Sequence, residues 1–76
     1  MQAHDDMLDY SDTITVTGTD APRGLWWARG TRFPFRILVH VVCVRASGMQ
    51  TIAEGDVLKA DIVWREKGAQ AWRLAR

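Results

Sequence analysis

Seventy-six residues allow a single domain, and a chain of this size buries only about 60% of the surface its unfolded form exposes. With 47% hydrophobic and 25% charged residues, six Gly and two Pro, the composition excludes collagen-like and low-complexity classes and leaves a small folded domain. The net charge of +1 hides a division: residues 1–20 carry five Asp and no Lys or Arg, whereas residues 21–76 carry ten basic and four acidic residues, so any affinity for phosphates belongs to the second part.

Residues 1–12 are polar, acidic and poor in β-branched side chains, which predicts a disordered tail ahead of a domain over 13–76. Thr13-Ile14-Thr15-Val16-Thr17 alternates with period two up to Gly18, the pattern of a half-buried strand. Ala21-Pro22-Arg23-Gly24 has turn chemistry. Leu25 to Arg36 mixes Trp, Phe and Arg around Gly30 and Pro34. This stretch reads as irregular, with one short edge strand at most.

Ile37 to Val44 is the most β-prone run and reads as a central strand, with Ile37, Val39, Val41 and Cys43 on one face and Leu38, His40, Val42 and Val44 on the other. Arg45-Ala46-Ser47-Gly48 breaks it, and Gln50 to Gly55 reads as a loop or one helical turn. Asp56 to Trp64 alternates Leu58, Ala60, Ile62 and Trp64 against Val57, Lys59, Asp61 and Val63, the signature of another strand. Lys67-Gly68 turns the chain into a last strand over Ala69 to Leu74. Short strands with little helix and no repeat predict an all-β fold, a small β-barrel that is closed or partly open.

The side chains that carry chemistry are few. His4 and His40 are the two histidines, Cys43 stands without a base at nucleophile spacing, and no Cys/His pattern suits a metal. Neither a G-x-S-x-G elbow nor a phosphate loop occurs. The expectation is a non-enzyme without cofactor. No apolar run approaches the roughly 20 residues that span a bilayer, the acidic start lacks the basic and apolar parts of a secretory signal, and one cysteine cannot form an internal disulfide. A cytoplasmic protein with no membrane partner is expected. What stands out is the interleaving of Trp26, Trp27, Phe33 and Phe35 with Arg23, Arg29, Arg32 and Arg36. Aromatic planes stack on bases and guanidinium groups meet phosphates in single-strand binding; alternatively the same rings fill the core of a small domain.

From Ile37 onward the order and spacing of motifs resemble the bacterial cold-shock domain. Ile37-Leu38-Val39-His40 stands for V-F-V-H, Ser47-Gly48 closes the following loop, and Glu54-Gly55, Asp61-Ile62 and Lys67-Gly68-Ala69-Gln70-Ala71 stand for E-G, D-I and K-G-P-Q-A. About forty residues, 37–76, are covered. The first half departs from the family, which shows G-x-V-K-W-F and then K-G-F-G-F-I. One register matches Val16-Thr17-Gly18-Thr19 to the start of the first element and Arg23-Gly24 to K-G. The other sets Trp26-Trp27 on W-F and Phe33-Pro34-Phe35 on F-G-F.

The resemblance implies a five-stranded OB-type barrel that binds single-stranded RNA or DNA, as an RNA chaperone or transcriptional modulator of the stress response. Carried over residue by residue, it implies Arg23 as the phosphate-facing cation, Trp27 as a base-stacking ring, and His40 as a stacking or hydrogen-bonding group. Lys67 and Gln70 border the binding face. Together with Trp26, Phe33 and Phe35 these are the candidate nucleic-acid-binding residues. The alternative is a degenerate domain, without nucleic-acid binding, that serves as a protein-contact module or has no function.

Overall fold

The alternation of Thr with aliphatic residues carries a longer strand than the pattern alone marks out. In a computed structural model that describes residues 9–76, β1 runs from Tyr10 to Asp20, with Ile14 and Val16 buried and the intervening Thr side chains outward. Residues 1–8 of the expected tail lie outside the described residues, and Tyr10, Ser11 and Asp12 belong to the strand, paired with a later strand. Gly18 does not end β1. It lies at a register shift between Val16 and Gly18, a place where the missing side chain lets a strand bend, and the strand continues to Asp20.

A single 3-10 turn, Ala21–Arg23, and Gly24 at φ 65° then reverse the chain. They lead into β2 (Leu25–Gly30), β3 (Arg36–His40), the helix α1 (Val41–Ala46), β4 (Val57–Arg65) and β5 (Gly68–Ala75). The strands close into a barrel of order β1-β2-β3-β5-β4, with β1 and β4 completing the ring. Every pairing is antiparallel except β3 with β5. This is the all-β small barrel that the strand pattern predicts, closed and five-stranded as the resemblance implies for an OB-type fold.

Two expectations are corrected. The stretch after Gly24 is not an irregular segment with an edge strand: β2 is paired on both sides, with β1 and with β3. Pro34 falls in the loop between β2 and β3, where its missing N–H breaks no ladder. The run from Ile37 to Val44 is not one strand. Leu25, the first residue of β2, pairs with His40, and Gly24 has already turned away, so a strand extended past His40 would have no partner along β2. The chain instead forms α1, which satisfies its own backbone groups. The Val41 N–H donates to the Gly24 carbonyl at 2.9 Å. Cys43 and Val44 are thereby both buried, while Val42 is 73% exposed.

The core is aliphatic. Ile14, Val16, Ala28, Ile37, Val39, Leu58, Ile62 and Ala71 fill the barrel, and Val44, Cys43 and Ile52 join them from α1 and the segment after it. The α1 segment is tied to the barrel where the Leu74 N–H donates to Ser47 Oγ at 2.9 Å. Near the far ends of β1 and β4, Tyr10, Phe33, Phe35 and Trp64 touch ring to ring in a chain. Tyr10 and Phe35 of this group pack against the core.

Candidate nucleic-acid interface

Strand alternation decides which side chains can meet a ligand. On β3, Ile37 and Val39 are buried, so Leu38 and His40 face outward with Arg36. On β2, Ala28 is buried and Trp26 packs against the core, which turns Leu25, Trp27 and Arg29 outward. The register then lines up four half-buried outward residues across four strands. Trp27 pairs with Leu38, Leu38 with Gln70, and Gln70 with Val63.

Beside this row runs a second one. Arg29 pairs with Arg36, and Arg65 pairs with Gly68. Gly68 precedes Ala69, the partner of Ile37, so the parallel register brings Arg36 level with Gly68 and extends the basic row toward Arg65. Like charges at cross-strand positions are unfavourable on their own. Here Arg36 spreads its guanidinium over the Trp27 ring, 4.2 Å from its centroid, a cation–π contact.

His40 closes the other side of the row, opposite Leu25. With Leu38, Val63, Gln70 and Lys67 it lines a groove of about 580 Å³ between β3 and the β4–β5 hairpin. Asp9, Trp64, Arg65 and Glu66 complete its lining. Among the described residues, Arg29, Arg36, Arg65 and Lys67 make no ion pair, whereas Arg23, Arg73 and Arg76 are engaged by Asp20, Asp61 and Asp56. Among the described residues, four of the seven cations without an ion pair thus lie on the face that carries Trp27, while Arg32, Arg45 and Lys59 lie in the β2–β3 loop, on α1 and on β4 beside β1.

Four of the sequence candidates, Trp27, His40, Lys67 and Gln70, meet on this face. The others do not. Arg23 sits on the turn between β1 and β2, its Nε 3.6 Å from Asp20, and Trp26 packs against the core. Phe33 and Phe35 stand in the loop after β2 and stack on each other at 5.4 Å and 9°. Trp26 and Trp27 both lie on the second strand. Arg36, Arg29 and Arg65 were within reach of the sequence but not of spacing: their neighbours come from three strands, and only the register shows them side by side.

The opposite outer surface, along β1, β4 and β5, has another character. Arg73 donates to Asp61 at 2.6 Å, and Ser11 Oγ donates to the same carboxylate at 2.6 Å. The Ser11 bond, then those from Arg73, hold the Asp61 carboxyl below its ordinary range against the opposing effect of burial. Asp12 fastens the β2–β3 loop by accepting from the backbone N–H of Thr31 at 2.8 Å and of Arg32 at 3.0 Å, and from the Thr31 hydroxyl. Burial alone would raise its pKa, but these bonds, with one from the Thr13 N–H, bring it below the ordinary value. Asp12, Asp61 and Arg73 are engaged within the chain here, while Lys59 beside them makes no ion pair among the described residues.

No protein-family model matches the chain, and no curated protein matches it as a relative. No helix among the described residues is long and apolar enough to cross a membrane.

Proposed function

We propose that the protein binds single-stranded RNA or DNA on the outer face of β2, β3 and β5, in the manner of a cold-shock domain. One observation carries the reading: the Trp27–Leu38–Gln70 row runs beside Arg29 and Arg36, with the Arg36 guanidinium on the Trp27 ring. Bases stack on an aromatic or flat apolar surface while phosphates follow a basic track, and the spacing of adjacent rows supplies both at once. The resemblance of residues 37–76 to cold-shock sequences supports the same assignment, as does the barrel order, since the strand 2–3 face is where barrels of this type take oligonucleotides.

Leu38 stands where the family pattern has Phe, and the K-G-F-G-F segment is absent. The face therefore offers fewer stacking planes and leans more on charge, so binding is weak and strongly salt-dependent. Such a protein acts by holding RNA unpaired, as a chaperone, without reading much sequence. Titrating an oligothymidine and a mixed-sequence RNA against intrinsic tryptophan emission at low salt tests this. Quenching that is lost as salt rises is the expected result; unchanged emission with both oligonucleotides at low salt overturns it and leaves a protein-contact role.

A further inference from the structure

Asp9, which precedes β1, extends the outward row of the binding face by one strand. Tyr10 pairs with Ile62 and Ser11 with Asp61, which sets Asp9 level with Val63, the partner of Gln70. Tyr10 packs against the core, so its neighbour Asp9 faces outward, and it lines the groove together with Leu38, His40 and Gln70. The direction of the chain follows from the same pairing. β1 is antiparallel to β4, and β4 goes on from Val63 to Arg65 and the hairpin at Glu66 and Lys67. The register therefore aims the chain ahead of Asp9 at Arg65 and Lys67.

Charge is complementary on the two sides. Arg29, Arg36, Arg65 and Lys67 make no ion pair among the described residues, whereas residues 1–8 carry Asp5 and Asp6 and no Lys or Arg. Asp12 and Asp20 are engaged by the β2–β3 loop and by Arg23, which leaves Asp5, Asp6 and Asp9 as the acids ahead of β1. Reach is sufficient. At no more than roughly 3.6 Å per residue, Asp5 extends up to about 14 Å from Asp9, while neighbouring strands stand about 4.8 Å apart and positions two apart on a strand about 7 Å. Arg65, two residues beyond Val63 on the adjacent strand, falls inside that span, as does Lys67 beside it in the hairpin.

We infer that residues 1–8 dock on Arg65 and Lys67 through Asp5 and Asp6 and compete with nucleic acid for the basic face. Their carboxylates offer the cations the same sign of charge as a phosphate backbone, and the tether to β1 keeps their local concentration high however dilute the protein. A strand long enough to engage Arg29 and Arg36 as well displaces them, and a short one does not. The competition rests on the proposed single-strand binding; the docking does not.

The test compares the full chain with the variant Asp5→Asn/Asp6→Asn, first without nucleic acid and then with an oligothymidine. Without it, the amide signals of Arg65, Lys67 and Gln70 are expected to differ between the two chains at low salt and to converge at high salt. Glu54→Gln, which removes a charge at the other end of β4, leaves those signals in place. With oligothymidine the double variant binds about 2- to 30-fold more tightly, the factor for two exposed ion pairs, and its affinity falls more steeply with salt. Identical amide signals in the parent and the double variant overturn the docking and leave the proposed function standing. Signals that differ beside equal affinities overturn the competition. Oligothymidine that binds neither chain at low salt overturns the proposed function and the competition with it, while the amide signals still decide the docking.

Discussion

The Arg36 guanidinium rests 4.2 Å from the centroid of the Trp27 ring, a contact made across the β2–β3 pairing. A base that stacks on Trp27 must either displace Arg36 or lie alongside it, so the two residues act on binding in different ways. Trp27→Ala removes a stacking plane and weakens single-strand binding by about 1–3 kcal/mol at every salt concentration. Arg36→Ala removes a phosphate partner and makes the slope of log K against log salt shallower by about 0.7. Titrations of both variants at four or more salt concentrations separate the two effects; equal slopes for Arg36→Ala and the parent chain count against a phosphate at Arg36.

Neighbouring positions on β3 provide a test of the face assignment. Ile37 is buried and Leu38 faces outward at the centre of the row. Ile37→Ala costs about 2–5 kcal/mol of stability, enough to unfold much of a small domain, whereas Leu38→Ala costs well under that and reduces binding. His40→Ala resembles the Leu38 variant: about 1–3 kcal/mol off binding with little loss of stability. Denaturant unfolding beside oligonucleotide titration reads both quantities for each variant.

Much of the barrel was legible because period-two alternation over Thr13–Thr17 and Asp56–Trp64 is a local property of the chain. What the sequence hid was set by partners distant along it. Val41 to Val44 have strong β preference, but β2 begins at Leu25, so no neighbour remains for a strand beyond His40 and the helix prevails. Leu25 to Gly30 follows its two strand-favouring Trp with Ala, Arg and Gly, which weaken the local signal, yet β1 and β3 on either side supply the pairing that makes it a strand. The site was half legible for the same reason. Trp27, His40, Lys67 and Gln70 could be picked by type and resemblance, while the grouping of Arg29, Arg36 and Arg65 exists only in the register. Phe33 and Phe35, which look like base platforms in the sequence, are partly occupied by each other and by Tyr10 and Trp64.

Acid weakens the fold through two carboxylates. Asp12 and Asp61 both have pKa values below the ordinary carboxylate value in the folded chain, so each contributes stability that is complete above the ordinary range and is lost as pH falls through the lowered values. Asp12 matters more for structure because it holds the loop that carries Phe33 and Phe35. Asp12→Ala lowers stability by about 1–2 kcal/mol near neutral pH, the scale of hydrogen bonds to a charged acceptor discounted for partial exposure. It also flattens the loss of stability below pH 4 relative to the parent chain. Thermal melts at a series of pH values between neutrality and strong acid measure both; an unchanged acid limb contradicts the role given to Asp12.

The turn between β1 and β2 depends on Gly24. Its φ of 65° lies in the left-handed region, and a Cβ there would stand 3.1 Å from Cγ1 of Val41, the first residue of α1. Gly24→Ala therefore costs roughly 1–2 kcal/mol for the backbone conformation alone, with the crowding of Val41 added to it. Gly48→Ala is the matched control: φ is 86°, but nothing lies within 4 Å of the added carbon. Equal losses in the two variants would show that the contact with α1 carries no cost.

Backbone amide shifts during titration with an oligothymidine test the location of binding most directly. The changes are expected to group on Trp27, Leu38, His40, Lys67 and Gln70, the outer face of β2, β3 and β5. Changes that group instead on Lys59, Asp61 and Arg73 across the barrel, or amide shifts that stay constant at saturating oligonucleotide and low salt, would contradict it.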